Sequence, residues 1–354
     1  MRRTLAILSS AGVVAATLIA AAPAQANETV PGGGASFSSV FLQDCATRYN
    51  GSQSNFTVNY QSVGSGRGKA GFSNGTYVFG GTDSAYGSRD TKPSFQWEYV
   101  PIIGGTITLP INLNGKNGRP IGNQIQLRQT TVAKIFGGQI TTWNHPEIVK
   151  ANPRIASNLP NTGITIVYRA DGSGTTNNFL QYLNSWAPTI FPKVQDAMDS
   201  AFPGGRPPAN SISGPQNAGV MSAITATPGS IGYVDLGDAL KAGARMARIQ
   251  NALGEFVAPS AQSAARNLAN QTNVGSDGLV SLNYKVQARG AYPIAIFSYL
   301  LARTDGGGPN GLGVRQFTRY ALEKCGPERA AQLGFVPVAG KVLKTAVGLA
   351  NNIK

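Results

Sequence analysis

The residues best suited to chemistry in this chain fall together in Tyr168-Arg169-Ala170-Asp171-Gly172-Ser173-Gly174-Thr175-Thr176. Arg169 offers a planar fork of donors that matches an oxyanion. Ser173, Thr175 and Thr176 add hydroxyl donors. The apolar run Ile164 to Val167 precedes them and reads as a buried strand, while Asn177 to Leu183 follows with helical apolar spacing. A strand, a glycine-punctuated turn and a helix start leave backbone N–H groups without intrahelical partners, at the positive end of the helix dipole. Such a corner is suited to an anion.

Two further stretches have the same character. Pro31 to Ser39 carries three glycines and then Phe37, Val40, Phe41, Cys45 and Tyr49 at helical spacing, so a helix is expected from Ser36 or Ser38. Taken alone, an ordinary serine cap on a glycine-rich loop is the simpler reading. Phe56 to Tyr60 alternates like a strand, and Ser62-Val63-Gly64-Ser65-Gly66-Arg67-Gly68-Lys69 follows it. That string fits neither a dinucleotide fingerprint nor a P-loop, but strand, glycine, serine and helix make a third anion cradle. Tyr77 to Ser84 is another strand ending in a polar tip, and its Asp83 is acceptor-only when ionised. The commoner role of such an aspartate is to cap a turn or a helix.

Catalytic signatures are weak in the sequence. The single histidine, His145, is not near a plausible nucleophile in sequence and stands before Pro146 at the expected start of a short helix. No histidine–carboxylate cluster points to a metal, and no cofactor is implied. The formal charge is +14, or +12 without Arg2 and Arg3, which favours anionic partners. The basic residues are scattered and match no nucleic-acid motif, so nucleic acid is not expected. Arg2-Arg3, the apolar stretch Leu5 to Ala22 and Ala24-Gln25-Ala26 read as a cleavable export signal over residues 1–26, with no cysteine for a lipid anchor. Cys45 and Cys325 could form one disulfide in an exported chain, or remain two buried thiols.

The remaining elements alternate between strand and helix, which is α/β architecture. Tyr99 to Leu113, broken by Gly104-Gly105, and Tyr292 to Leu301 are the two long apolar strands that could cross between lobes. Helices are expected at 129–136, 216–225, 263–270, 311–324 and 339–353, with a buried strand at 229–234 and irregular chain over 186–208.

Seven stretches in order give the chain its resemblance: Gly32 to Phe37, Tyr60 to Gly66, Phe79 to Asp83, Val100 to Gly105, Ile135 to Asn144, Arg169 to Thr175 and Gly229 to Val234. Together they resemble the periplasmic phosphate-binding proteins of phosphate ABC transporters, the PstS family, over nearly the whole mature chain. The resemblance implies a two-lobed, type II periplasmic binding protein fold with the ligand in a cleft. It implies lobe I at 27–106 and 291–354, and lobe II at 107–290. The implied function is capture of inorganic phosphate in the periplasm and delivery to membrane-embedded ABC permease subunits, as a monomer and without catalysis. Phosphate contacts are implied for Ser36, Phe37, Ser65, Asp83, Arg169, Ser173, Gly174 and Thr175. The family often has threonine at Ser36 and aspartate at His145; the first change keeps a hydroxyl, and the second concerns a turn. The strong positive charge and the cysteine pair are not family hallmarks. Two rival functions are a phosphoester hydrolase and a binding protein for another oxyanion.

Overall fold

The computed structural model describes residues 27–354, and the expected export signal at 1–26 lies outside them. Chain order gives β1 (Glu28–Gly34), β2 (Phe56–Ser62), β3 (Phe79–Thr82) and β4 (Trp97–Thr108). These are followed by β5 (Ile111–Asn112), β6 (Gln126–Leu127), β7 (Thr165–Arg169), β8 (Ser211–Gly214), β9 (Ser230–Gly232) and β10 (Val234–Asp235). The last three are β11 (Arg248–Gln250), β12 (Phe256–Val257) and β13 (Ala295–Arg303).

They assemble into a six-stranded sheet of order β10-β4-β13-β3-β1-β2, a four-stranded sheet β5-β9-β7-β8 and a small sheet β12-β11-β6. The two long apolar strands β4 and β13 pair antiparallel near the middle of the large sheet. Central strands are covered on both faces, which is why they read as continuous apolar runs without alternation. Gly104 and Gly105 show the two faces directly. A Cβ on Gly104 would meet Leu268, and one on Gly105 would lie 2.8 Å from the Phe37 ring, so glycine is what lets both layers close on β4.

β1, β2 and β3 run parallel, as do β7, β8 and β9. In open α/β sheets a ligand sits beyond the carboxyl ends of such strands. Ala35 to Ser38, Val63 to Ser65, Asp83 and Ala170 to Ser173 occupy those ends. Helices α1 (Ser39–Ser52) and α2 (Ser65–Ser73) follow β1 and β2. Helix α3 spans Gln129–Phe136, as its apolar spacing predicts, and α4 spans Pro146–Ala151. Helix α5 (Gly174–Trp186) follows β7, and α6 (Gln216–Ala226) follows β8.

Several expected elements change in detail. The strand expected at 229–234 divides, because Ser230–Gly232 joins the four-stranded sheet and Val234–Asp235 joins the large one. Tyr233 is the buried residue between them. Periodicity cannot reveal a strand that changes sheets, since both halves are buried. The helix expected at 311–324 runs regularly from Gly311 to Tyr320 and continues as a π turn over Ala321–Cys325. Helix α1 begins at Ser39, one residue past the later of the two expected starts, Ser36 and Ser38. No helix among the described residues is long and apolar enough to cross a membrane.

Cys45 on α1 and Cys325 in the π turn form a disulfide, with Cα atoms 5.8 Å apart and both residues fully buried. The bridge ties two segments separated by 280 residues. Closing so long a loop removes much unfolded-chain entropy, so reduction is expected to cost about 4 kcal/mol of stability. Thermal melts with and without a reductant measure this, and an unchanged Tm under full reduction would contradict it.

Candidate oxyanion site

Four chain corners converge, and each is built by local rules. Ser173 is the N-cap of α5, and its hydroxyl oxygen accepts from the Thr176 N–H at 3.1 Å. The Ser65 hydroxyl oxygen accepts from the Asp83 N–H at 3.3 Å. The Ser36 hydroxyl oxygen accepts from the Asn217 N–H at 3.3 Å. All three serines are buried and pinned as acceptors from backbone N–H groups. Among the described residues none of the three has an acceptor for its own proton.

The helix starts add to this surplus of donors. The N–H groups of Phe37 and Ser38, ahead of α1, and of Gly174 and Thr175, opening α5, have no acceptor among the described residues. Buried N–H groups are nearly always paired, so such a set aimed at one place points to a ligand that accepts. Phe37 itself is fully buried against Phe335, so its contribution is a backbone donor on a fixed corner.

Arg169 is buried at the end of β7. Its Nε donates to Asp171 Oδ1 at 2.9 Å, one terminal nitrogen donates to Asp171 Oδ2, and the other donates to Asn217 Oδ1 at 2.7 Å. Asp171 thus holds the guanidinium, as its position two residues on implies. These bonds use about three of the five N–H donors of an arginine and leave a fork for a ligand.

Asp83 is the acceptor in this field of donors. Oδ1 accepts from Ser298 Oγ at 2.7 Å, and Oδ2 accepts from Thr175 Oγ1 at 3.3 Å. Asn178 Nδ2 donates to the Asp83 carbonyl at 2.6 Å. Burial pushes the Asp83 carboxyl up to about 6, while the hydrogen bond from Ser298 and the charge of Arg169 oppose that rise. Near neutral pH the group is therefore mostly ionised. The corners approach so closely that a Cβ on Gly174 would lie 2.8 Å from Asp83 Cβ, Asp83 N and Ser65 Oγ.

The structure thus brings Ser36, Phe37, Ser65, Asp83, Arg169, Ser173, Gly174 and Thr175 to one place. One of the hydroxyls expected there is engaged elsewhere, since Thr176 Oγ1 pairs with the Tyr233 hydroxyl at 2.7 Å, while Thr175 Oγ1 donates to Asp83 within the cluster. His145 is the N-cap of α4, where its Nδ1 accepts from the Glu147 N–H at 3.3 Å. Sequence reasoning misses Asn217, Asn178, Ser298 and Ser38. Each is an ordinary polar residue in its own stretch, and its partner lies far along the chain. Asn217 is the chief omission: fully buried, it joins Arg169 to Asp235, whose Oδ2 accepts from Asn217 Nδ2 at 2.7 Å.

Known proteins share this arrangement of sequence and fold. The chain matches the PBP superfamily domain over residues 20–324. Phosphate-binding protein PstS of Xylella fastidiosa (strain 9a5c) is 34% identical over 318 residues, covering 89% of this chain and 83% of the relative. The chain belongs to the PstS family. PstS of Haemophilus influenzae is 30% identical over 325 residues, covering 91% of this chain and 92% of the relative. Among solved structures, a phosphate-binding protein from Stenotrophomonas maltophilia aligns with a TM-score of 0.69 at 19% identity, covering 91% and 94% of the two chains. A high-affinity periplasmic phosphate-binding protein bound with phosphate aligns at 0.69 and 23% identity, covering 90% and 93%. Those structural likenesses speak to the fold, which is the two-lobed binding-protein fold expected of PstS members.

Proposed function

We propose that this chain captures inorganic phosphate between its lobes and delivers it to the permease of an ABC transporter. The observation that carries the site assignment is the imbalance of the cluster: many buried donors without acceptors surround one ionised acceptor, Asp83. Phosphate at neutral pH presents oxygens to accept those donors and keeps at least one proton for Asp83. Sulfate has the oxygens and no proton. In this reading Ser36, Ser65 and Ser173 donate through their hydroxyls, and Phe37, Gly174 and Thr175 through their N–H groups. Arg169 supplies the charged fork. Uncharged donors at helix starts bind the anion without a full counter-charge.

The lobes are proposed as 27–106 with 291–354, and 107–290, with β4 and β13 carrying the chain between them. Segment 271–283 lies over the large sheet, where the Tyr99 N–H donates to the Asp277 carbonyl at 3.1 Å. Closure of the lobes would bury the anion, as in other binding proteins of this kind. The chain is proposed to act outside the cytoplasmic membrane as a monomer and to perform no reaction on its ligand. Two features support a binding role: the serines are pinned as acceptors from N–H groups rather than set beside a histidine, and His145 is engaged in capping α4.

Calorimetric titration with phosphate, arsenate, sulfate and molybdate tests the ligand. Phosphate is expected to bind tightly and sulfate to be rejected; equal affinity for both would overturn the assignment. Release of phosphate from model esters by the pure chain would favour the hydrolase instead. Gly174→Ala is expected to weaken phosphate roughly tenfold or more, since its methyl would press on Asp83 and Ser65 only when the corners meet. Wild-type affinity in that variant would show that the corners do not close on the ligand.

A further inference from the structure

Asp196 lies in the irregular stretch between α5 and β8 and is not among the groups assigned to the anion. Its Oδ2 accepts from Lys69 Nζ at 2.9 Å and from Ser84 Oγ at 3.0 Å. Its Oδ1 accepts from Asn177 Nδ2 at 2.9 Å, and its carbonyl accepts from the Ser173 N–H at 3.0 Å. Lys69 and Ser84 hang from the large sheet, on α2 and just past β3, whereas Ser173 and Asn177 follow β7 in the four-stranded sheet. Lys69 lies one helical turn beyond Ser65, and Ser84 adjoins Asp83. Through its carboxylate Asp196 therefore touches residues close to Ser65 and Asp83, and through its carbonyl it touches Ser173 itself.

We propose that Asp196 is a positioning residue that fastens the two halves of the oxyanion site together, and that its bond to Lys69 sets how slowly phosphate leaves. This rests on the reading of the site as a phosphate clamp. The Lys69 side chain is only 2% exposed and that of Asp196 18%, so the pair is largely shielded from solvent and salt. Lys69 also pairs with Asp90, which follows β3 on its own side of the cleft. Asp90 and Asp196 are balanced by Lys69 and by Arg89, which donates to Gln195 Oε1 in the same pocket, so the cluster has no net positive charge to attract an anion. Its geometry instead crosses the cleft. When the corners part, Asp196 leaves Lys69 while Asp90 stays, so the buried ammonium keeps a partner in either state. Opening therefore loses one buried ion pair and the Ser84 bond without stranding a charge. Encounter precedes closure, so the fastening acts on departure and hardly on arrival.

Stopped-flow kinetics with inorganic phosphate tests this. Asp196→Asn keeps the shape and removes the charge, and is expected to release phosphate roughly 10- to 100-fold faster with an association rate within about threefold of wild type. Lys69→Gln is expected to move release the same way, and Asp90→Asn to move it less, because its bond does not cross the cleft. Wild-type release rates in whichever of Asp196→Asn and Lys69→Gln folds would overturn the proposal. So would an affinity loss carried by association alone. A wild-type chain that fails to bind phosphate would overturn the clamp reading itself, an outcome distinct from failure of the fastening.

Discussion

Replacing Arg169 with alanine is expected to weaken phosphate binding by at least roughly 100-fold. The guanidinium is buried at the end of β7 and is the cationic group placed among the converging donors. Its orientation is fixed before any ligand arrives, because Asp171 grips one edge and Asn217 another. A preset fork loses little entropy on binding, which is where charge-assisted contacts gain most of their strength. Truncation removes the charge and leaves the Asn217 carbonyl without its donor. Asp171 keeps one partner, the Gln216 N–H at 2.8 Å, so the loop should survive. Arg169→Lys separates charge from geometry. It retains the positive charge but cannot span Asp171, Asn217 and an oxyanion together, so it too is expected to bind weakly. Calorimetry on both variants decides the matter. A Kd within threefold of wild type for Arg169→Ala would remove the arginine from the site.

The corner around Arg169 is legible in the sequence because all of its parts are local. An apolar run makes β7, glycine makes the turn, serine caps α5, and Asp171 reaches an arginine only two residues away. The same holds for α3, whose bounds follow from apolar spacing alone. What stays hidden is whatever depends on chain folding back on itself. Asn178 meets the Asp83 carbonyl across 95 residues, and Asn217 meets Ser36 across 181. Within its own helix each is an unremarkable polar residue. Asp196 is harder still, since it sits in chain with no period at all, and its value comes from four partners that follow strands of two different sheets. The disulfide lies between these cases. Export makes it plausible chemistry, but only the packing of α1 against the π turn brings Cys45 to Cys325. Strand division at Tyr233 is invisible for a different reason: burial on both sides of the break gives the same apolar pattern as one continuous strand.

Asp83→Asn is expected to lower the preference for phosphate over sulfate by at least roughly 100-fold. In the proposed site the buried carboxylate would meet a sulfate oxygen with lone pair against lone pair. Against phosphate the same oxygen would accept a hydrogen bond from the anion's proton. An asparagine amide can turn its NH2 toward sulfate, so sulfate should gain while phosphate loses its acceptor. The substitution also has a consequence for the unliganded fold. In the folded chain the carboxyl titrates at about 6, raised by burial from its ordinary 3.8. A raised carboxyl means that the folded state holds the proton more tightly than the unfolded chain. Its contribution to stability is therefore most favourable below about pH 4 and is lost as pH rises through 6, by about 3 kcal/mol in total. Asp83→Asn removes that dependence, so at pH 8 the unliganded variant should melt higher than wild type, and near pH 4 the difference should shrink. Binding selectivity and melting temperature then move in opposite directions for one substitution. Titrations with both anions at pH 8, with melts at pH 4 and pH 8, measure both effects. A variant that keeps wild-type selectivity would show that the proton of phosphate is read elsewhere; one that melts lower than wild type at pH 8 would show that the carboxylate charge is better compensated than its burial implies.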